Sequence, residues 1–245
     1  PTPHPTSAAP YRAPFGAPSL AAVLPVMFAL LAAFTYGWRS MDHAPEPTAL
    51  TSAPDAPSAT GFSAAAGMAT LTHLLQEQAP HPVGSPLHAV VRDRILTILR
   101  DAGYEPKVDP TLQCTPRYGC AWVQNIVTIR RGADSTRAVM VSAHYDSVPA
   151  GPGVSDDGAG TAIVLELARA LARVPQPKND IVLLISDGEE LGLFGAHAFL
   201  ARDPAMRRIP VMVNLEARGT SGPSVMFETG DGNAHLMRIY GQAVR

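Results

Sequence analysis

The sequence is short of lysine, and its charges nearly balance. Lys107 and Lys178 are the only lysines, and the formal net charge at pH 7 is −2. A protein that binds nucleic acid through the backbone phosphates usually presents an excess of basic side chains. The composition therefore gives no reason to expect nucleic acid as a partner.

Cysteine is limited to two residues, Cys114 and Cys120, in the stretch TLQCTPRYGCAW. A zinc site built on cysteine needs further Cys or His ligands nearby, and this stretch has none. Two interpretations stay open. The cysteines are either free thiols or, if the domain lies in an oxidising compartment, partners in a disulfide that closes a small loop.

Two common catalytic signatures are also absent. The loop GPGVSDDG resembles a phosphate-binding glycine loop, but Asp156 stands where the third glycine of G-x-G-x-x-G belongs. A carboxylate at that position would repel pyrophosphate. A serine hydrolase needs G-x-S-x-G after a strand, and GVSDD does not supply it. We therefore reject both a dinucleotide-binding loop and a serine nucleophile.

One long uncharged segment lies near the N-terminus. Residues 19–38, SLAAVLPVMFALLAAFTYGW, carry no charge and have the length, about 20 residues, that spans a bilayer core as a helix. Tyr36 and Trp38 fit the aromatic belt at a membrane interface, and Arg39 closes the segment. We predict a transmembrane helix. A buried soluble helix and a cleaved signal peptide are the alternatives, although no clear small-x-small cleavage site follows the segment.

The composition on either side of this helix divides the chain. Residues 1–18 are rich in Pro, Ala and Ser and predict a flexible arm, and residues 39–63 have the composition of a linker. The folded domain is expected over residues 64–245. Because the sequence stops in a helix-like stretch, we expect this domain to be incomplete at its C-terminus.

Within residues 64–245, apolar runs of strand length alternate with helical patterns. Strands are predicted at Trp122–Ile129, Ala138–Ala143, Asp180–Ile185 and Val211–Leu215. Helices are predicted at Ala65–Gln76, Pro86–Ala102, Thr161–Arg173 and Leu193–Ala201. Such alternation implies a sheet with helices on both faces. The predicted fold class is α/β, a three-layer α/β/α sandwich with a mostly parallel mixed sheet.

Acidic residues and one histidine follow successive predicted strands. In chain order they are His144, Asp146, Asp156, Asp157, Glu189, Glu190 and Glu216. Because α/β sheets bind ligands beyond the carboxyl ends of their strands, we expect these side chains to share one edge. So many acids would repel each other unless cations were bound. Imidazole and carboxylate are ligands suited to zinc, with manganese or cobalt as substitutes. Taken alone, Asp157 is explained as a helix N-cap or a solvated loop acid.

Four segments then carry a family resemblance. AHYDS, GVSDDGAG, DGEELGLFG and VNLEARG resemble, in this order, the motifs of metallopeptidase family 28, the co-catalytic zinc family of bacterial aminopeptidases and glutamate carboxypeptidase. The upstream segment APHPVGSPLHAVVRDRI and the glutamate of NLEARG are similar to the membrane-anchored branch of vacuolar membrane proteases and endoplasmic reticulum metallopeptidases. The resemblance extends over residues 71–245. It implies the fold of the zinc exopeptidases.

The resemblance implies a ligand set for two zinc ions. Asp156 would bridge both ions, His144 and Glu216 would complete the first site, and Glu190 would bind the second ion. The family supplies a second histidine to that second site, and we expect it beyond the end of this sequence. As given, the chain would hold one full metal site and part of another.

The resemblance also assigns two roles beside the metal. Glu189 would be the general base that takes a proton from a metal-activated water and delivers it to the leaving amine. Asp146 would hydrogen-bond His144 and fix its tautomer. A cis peptide bond between Asp156 and Asp157 is implied as well.

The leading prediction is a zinc-dependent metalloexopeptidase of aminopeptidase type, acting on peptide substrates. The N-terminal helix would hold it at a membrane, with the catalytic domain outside the cytoplasm, in a periplasm, at the cell exterior or in an organelle lumen such as a vacuole. One alternative is a single-zinc acyltransferase similar to glutaminyl cyclase, which would cyclise an N-terminal Gln rather than shorten the peptide. The other is a non-catalytic membrane scaffold, which would have no use for unpaired acids at the strand ends.

Overall fold

The computed structural model describes residues 20–42, 61–202, 204–217, 219, 225–226 and 228–243. The predicted arm at residues 1–18 and most of the predicted linker at 39–63 lie outside the described residues. The first helix belongs to one unit of the chain, and the described residues from Gly61 onward belong to a second unit. The two units are described separately.

The first unit contains helix α1, Leu20–Asp42, with Pro25 inside it. Its large apolar side chains are exposed, and Phe28 and Tyr36 each have about three quarters of their surface accessible. Residues Ala21–Arg39 have a mean hydropathy of 1.7, which makes this helix long and apolar enough to cross a membrane. The helix expected from the uncharged segment is therefore present.

The second unit is built on a five-stranded sheet. Its strands are β1 Lys107–Thr115, β2 Gly119–Arg130, β3 Asp134–His144, β4 Asn179–Ser186 and β5 Val211–Asn214. Their order across the sheet is β1-β2-β4-β3-β5. Strand β3 runs parallel to both β4 and β5, whereas β2 runs antiparallel to both β1 and β4. The sheet is mixed, as predicted, but its antiparallel share is larger than expected, because short turns join β2 to both β1 and β3.

Strand β1 was not predicted from the sequence. It is an edge strand with most of its residues exposed, and it contains Pro110, which an edge strand tolerates because it need not donate to a second neighbour. Cys114 and Cys120 are direct partners in the β1–β2 pairing and are joined by a disulfide. Of the two interpretations of the cysteine pair, the structure has the disulfide.

Helices cover the sheet as the sequence periodicity predicts. They are α2 Ala64–Leu74, α3 Pro86–Asp101, α4 Ala159–Arg173 and α5 Phe194–Arg202. A further helix, α6 Ala234–Ala243, follows β5 along the chain. The hydroxyls of Ser63 and Ser85 accept the N–H groups of Ala66 and His88, which caps the first turns of α2 and α3. Between β3 and α4 lies a single π-type turn, Val154–Gly158, and a 3-10 turn, Pro204–Arg208, precedes β5.

The core lies on both faces of the sheet. Leu183 and Ile185 of β4 pack with buried residues of α2, α3 and α4 on one face. Val182 and Leu184 of the same strand pack with Phe199 of α5 on the other face. Because alternate residues of one strand are buried on opposite sides, the second unit is a three-layer α/β/α sandwich, and the predicted fold class is confirmed.

Candidate metal centre

The parallel strands bring the predicted residues to one edge of the sheet. His144 is the last residue of β3 and pairs with Ser186, the last residue of β4. The N–H of Leu215 donates to the carbonyl of Ser142 at 2.8 Å, which carries the chain after β5 alongside the end of β3. The residues that follow these three strands, including Glu216, therefore meet at the same place.

Three side chains there offer ligand atoms to a single point. Nε2 of His144 lies 3.1 Å from Oδ1 of Asp156 and 3.8 Å from Oε1 of Glu216. The ligand atoms of these three residues all lie within 4.8 Å of one another, a spacing that suits one metal ion. Oε2 of Glu189 is 4.0 Å from the same imidazole nitrogen. One imidazole with two carboxylates is a donor set that zinc accepts.

Glu190 is not part of this group of three. It is half-buried and stands next to Glu189 in the turn after β4. Burial raises its pKa, and the neighbouring negative charges of Asp156 and Glu189 raise it further. The charge of Asp156 therefore affects the pKa of Glu190, but Glu190 does not belong to the group of three possible ligands.

The cluster has a strong excess of negative charge. Burial alone would lower the pKa of His144, but hydrogen bonds to the carboxylates of Asp146 and Glu216, together with further carboxylate charge, raise it to about 11. Burial raises the pKa of Glu189, and nearby acids add to the shift. Among the residues that the structure describes, the ion pairs of the clustered acids all involve His144. Within the described part of the chain, the imidazole is therefore the only cation paired with these acids, and the site is suited to hold a further positive charge.

Asp146 connects the histidine to the glutamate pair. It is buried, with 1% of its surface exposed. Nδ1 of His144 lies 3.2 Å from the backbone carbonyl of Asp146 and 3.4 Å from its Oδ1. Both oxygens are acceptors, which favours the tautomer protonated on Nδ1 and leaves Nε2 to bind a metal. The Asp146 carboxylate also accepts the N–H groups of Glu189 at 3.0 Å and Glu190 at 3.2 Å.

Asp157 connects the end of β3 to the first turn of α4 through hydrogen bonds. Its carboxylate accepts the N–H of His144 at 3.2 Å and the N–H of Gly160, in the first turn of α4, at 3.1 Å. A Cβ at position 160 would come within 2.3 Å of this carboxylate, so only glycine fits there. Burial raises the pKa of Asp157 to about 7, against the opposing charge of His144. The peptide bond between Asp156 and Asp157 is cis, as the resemblance implies.

Sequence reasoning missed two features of the site. It placed Asp146 beside His144 but gave no sign that the same carboxylate holds the backbone of both glutamates. It also passed over Asp187, which is fully buried immediately before the glutamate segment. An aspartate that directly follows a buried apolar strand was the available signal for Asp187.

Comparison with known proteins points to one family. Residues 125–245, just under half of the chain, match the model of peptidase family M28. Over that range the chain is similar to peptidase family M28. Every residue of the metal cluster described above lies within the matched range.

The curated proteins to which the chain is similar include membrane proteases. The chain is 35% identical over 155 residues to the vacuolar membrane protease of Candida albicans. The matched region is 62% of this chain and 18% of that protein. It is 34% identical over 125 residues to endoplasmic reticulum metallopeptidase 1 of Rattus norvegicus, covering 50% of this chain and 14% of that protein. The chain thus spans less than a fifth of the length of either relative.

Solved structures show the same fold at low sequence identity. A glutaminyl cyclase of Porphyromonas gingivalis superposes with a TM-score of 0.58 at 20% identity, covering 66% of this chain and 61% of the other. A Zn-dependent exopeptidase of Parabacteroides distasonis superposes with a TM-score of 0.54 at 19% identity, covering 64% and 63%. These likenesses show that the second unit shares its fold with both proteins.

Proposed function

We propose that this chain acts as a zinc-dependent metalloexopeptidase of aminopeptidase type, which hydrolyses terminal peptide bonds. The observation that carries the proposal is the convergence of His144, Asp156 and Glu216 within 4.8 Å, with the Glu189 carboxylate 4.0 Å from the same imidazole. The M28 match over the residues that form this cluster supports it.

The residues present fit zinc. His144, Asp156 and Glu216 would hold one ion, and Asp156 with Glu190 would take part in holding a second. The fit rests on the donor set and on the excess of carboxylates, which raises the pKa of His144 to about 11 because no other cation balances them among the described residues. Zinc bound there supplies a Lewis acid that polarises a carbonyl and makes water more acidic.

Glu189 is proposed as the general base and acid. Burial and neighbouring acids raise the pKa of its carboxyl, which brings it closer to neutrality and favours both accepting and returning a proton. The carboxylate takes a proton from the attacking water and later delivers it to the leaving amine. The Asp146 carboxylate accepts the backbone N–H of Glu189. This hydrogen bond fixes the backbone from which the half-buried Glu189 side chain extends.

A cavity beside the cluster offers room for a substrate. It has a volume of about 840 Å³, and its lining includes His144, Glu189 and Glu216. The rest of the lining is mainly apolar and comes from β3, β4, β5, α5 and α6 and from residues between β5 and α6. A cleft that is mostly apolar with a few polar groups is typical of a small-molecule or peptide-end site.

We also propose a membrane location for the protein, with the second unit outside the cytoplasm. Helix α1 has the length and composition of a membrane span, and the relatives are named for the vacuolar membrane and the endoplasmic reticulum. The disulfide between Cys114 and Cys120 supports an oxidising compartment for the domain.

A single-zinc acyltransferase similar to glutaminyl cyclase is the second candidate. The observation in its favour is that the ligand atoms of only three residues group within 4.8 Å among the described residues, which makes one ion site rather than two. Glu190 lies outside that group, as a one-metal centre would allow.

The test uses the full chain in detergent micelles, loaded with zinc and incubated with peptides whose N-terminus or C-terminus is blocked. Mass spectrometry should show stepwise loss of N-terminal residues from peptides with a free N-terminus. Glu189→Ala should abolish this loss while retaining zinc, and Glu105→Ala, at an exposed glutamate outside the cluster, should behave as wild type.

Other products would decide among the alternatives. Removal of C-terminal residues would replace the aminopeptidase type with a carboxypeptidase. Release of ammonia from an N-terminal Gln without shortening would favour the cyclase. A zinc-loaded protein that leaves every peptide intact would support the scaffold, and full activity in Glu189→Ala would refute the proposed mechanism.

A further inference from the structure

A buried hydrogen-bonded pair, His88 and Asp187, lies behind the glutamate segment. His88 on α3 and Asp187, directly after β4, are 2% and 0% exposed, and Nε2 of His88 lies 2.8 Å from Oδ1 of Asp187. The His88 ring stacks on Tyr145, with centroids 4.7 Å apart and planes inclined by 12°. Packing therefore fixes the ring, and the hydrogen bond fixes the carboxylate.

The rest of Asp187 is tied to strand β2. Its Oδ2 accepts the N–H of Gln124 at 2.7 Å, and its own N–H donates to Oδ1 of Asn125 at 3.0 Å. The amide of Asn125 in turn donates to the carbonyl of Gly195 at 2.7 Å, at the start of α5. Asp187 is thus held through both carboxylate oxygens and through its backbone.

Hydrogen bonds hold the chain at two anchors, Asp187 before the glutamate pair and the backbone N–H groups of the pair itself. Asp187 fixes the chain immediately before Gly188, and the Asp146 carboxylate accepts the N–H groups of Glu189 and Glu190. Gly188 adopts a left-handed conformation, with φ of 68°, so the chain turns sharply between the two anchors. A shift of Asp187 would therefore be transmitted over very few bonds to both glutamates.

We propose that His88 is a positioning residue for the glutamate pair, acting through Asp187. Its Nε2–H supplies the donor that holds Oδ1 of Asp187 in a place where water does not reach. An apolar side chain of similar size would fill the space but remove the donor that Oδ1 of Asp187 accepts at 2.8 Å, which costs a buried carboxylate one of its hydrogen bonds. The role rests on the proposed function only in that Glu189 and Glu190 are the groups to be positioned.

The test compares two substitutions at one position in the metal-free full chain. His88→Phe keeps a flat ring against Tyr145 but has no donor, whereas His88→Gln keeps an N–H donor at similar reach. His73→Phe, at an exposed histidine of α2, is the matched control. Hydrogen–deuterium exchange is measured for the amides of residues 188–190 and, as an internal reference, for those of strand β4.

His88→Phe is expected to speed exchange at residues 188–190 by about tenfold, because a buried carboxylate that loses one of its hydrogen bonds releases the local structure. Exchange in β4 should not change, which separates positioning from a general loss of stability. His88→Gln and His73→Phe should both exchange as wild type. Equal exchange in His88→Phe and wild type, equal acceleration throughout β4, or failure of His88→Gln to restore protection would each overturn the inference.

Zinc titration adds a second readout without any substrate. His88→Phe should weaken the binding of the second ion, to which Glu190 would contribute, by less than the roughly 10- to 100-fold lost when a direct hydrogen-bond partner of a ligand is removed. It should leave the first ion unaffected, because His88 contacts Asp187 and none of the first ion's ligands. If His88→Phe does not fold, His88→Asn replaces it in the comparison, because the shorter Asn side chain does not reach Asp187. Unchanged hydrogen–deuterium exchange at residues 188–190 in His88→Asn would refute the positioning role. A wild-type chain that cleaves no peptide would refute the proposed function and leave the exchange result to decide on His88.

Discussion

Asp146 offers the sharpest test of how the site is assembled. One buried carboxylate lies beside Nδ1 of His144 and accepts the N–H groups of Glu189 and Glu190 at 3.0 and 3.2 Å. Asp146→Ala removes all of these acceptors at once. Asp146→Asn keeps the shape and one carbonyl oxygen but turns an NH₂ group toward one of the two backbone donors.

The magnitude follows from the number of donors left without a partner. Each buried N–H that loses its acceptor costs about 1–3 kcal/mol, so the alanine variant should lose about 2–4 kcal/mol, toward the lower end because both glutamates are half-buried. The asparagine variant orphans one donor and should lose about 1–2 kcal/mol. Zinc affinity should fall by about tenfold in the alanine variant, the lower end of the loss that follows removal of an outer partner, because His144 loses the Asp146 carboxylate but keeps the backbone carbonyl 3.2 Å from its Nδ1.

The assay pairs two measurements on each variant. Urea denaturation in the presence of a chelator gives the free energy of unfolding of the metal-free protein, and a competition titration with a chromophoric chelator gives zinc affinity. Asp93→Ala is the control, because Asp93 is an exposed residue of α3 with two thirds of its side chain accessible. The reasoning fails if Asp146→Ala matches this control in both measurements, or if the asparagine variant is more damaged than the alanine variant.

Two further predictions follow from the charged residues. The folded-state pKa of His144, about 11, lies above its ordinary value of 6.5. Protonated His144 therefore contributes its full stabilisation below pH 6.5, and this contribution is lost as the pH rises toward 11. The free energy of unfolding of the metal-free protein should fall over that range, and a flat profile would contradict the charge balance given for the site. Asp180 is fully buried, and hydrogen bonds from Gly132 and Ser135 with those from Arg131 and Arg208 outweigh its burial and lower its pKa to about 2. Asp180→Ala should therefore cost about 1–3 kcal/mol, because several hydrogen bonds are lost but their donors are exposed or half-buried and can bond to water, with zinc affinity unchanged. In the wild type this contribution should be lost as the pH falls from about 4 toward 2.

The sequence predicted the architecture where hydrophobic periodicity was strong. The central strands have long apolar runs, and α4 has a clear apolar face, so their positions agree with the structure to within a few residues. Strand β1 escaped prediction because it lies at the sheet edge with few buried residues and contains Pro110. The direction of β2 could not be predicted either, since apolar patterning is the same in parallel and antiparallel strands.

The sequence predicted which residues form the site but not which hydrogen bonds hold them in place. Rules on strand ends place His144, Asp156 and Glu216 at one edge because local order along the chain suffices. The contact between His88 and Asp187 joins residues 99 positions apart, on a helix and after a strand. No local pattern marks such a pair, because each residue alone is compatible with its own element.

Zinc titration of the metal-free full chain tests the central claim most directly. Wild type and Glu189→Ala should bind zinc with the same affinity, because Glu189 is proposed to move protons rather than hold the metal. His144→Ala should bind more weakly by more than the roughly 10- to 100-fold lost with an outer partner, because a direct ligand is removed. A wild-type chain that fails to bind zinc, or a His144→Ala variant that binds it as tightly, would contradict the account.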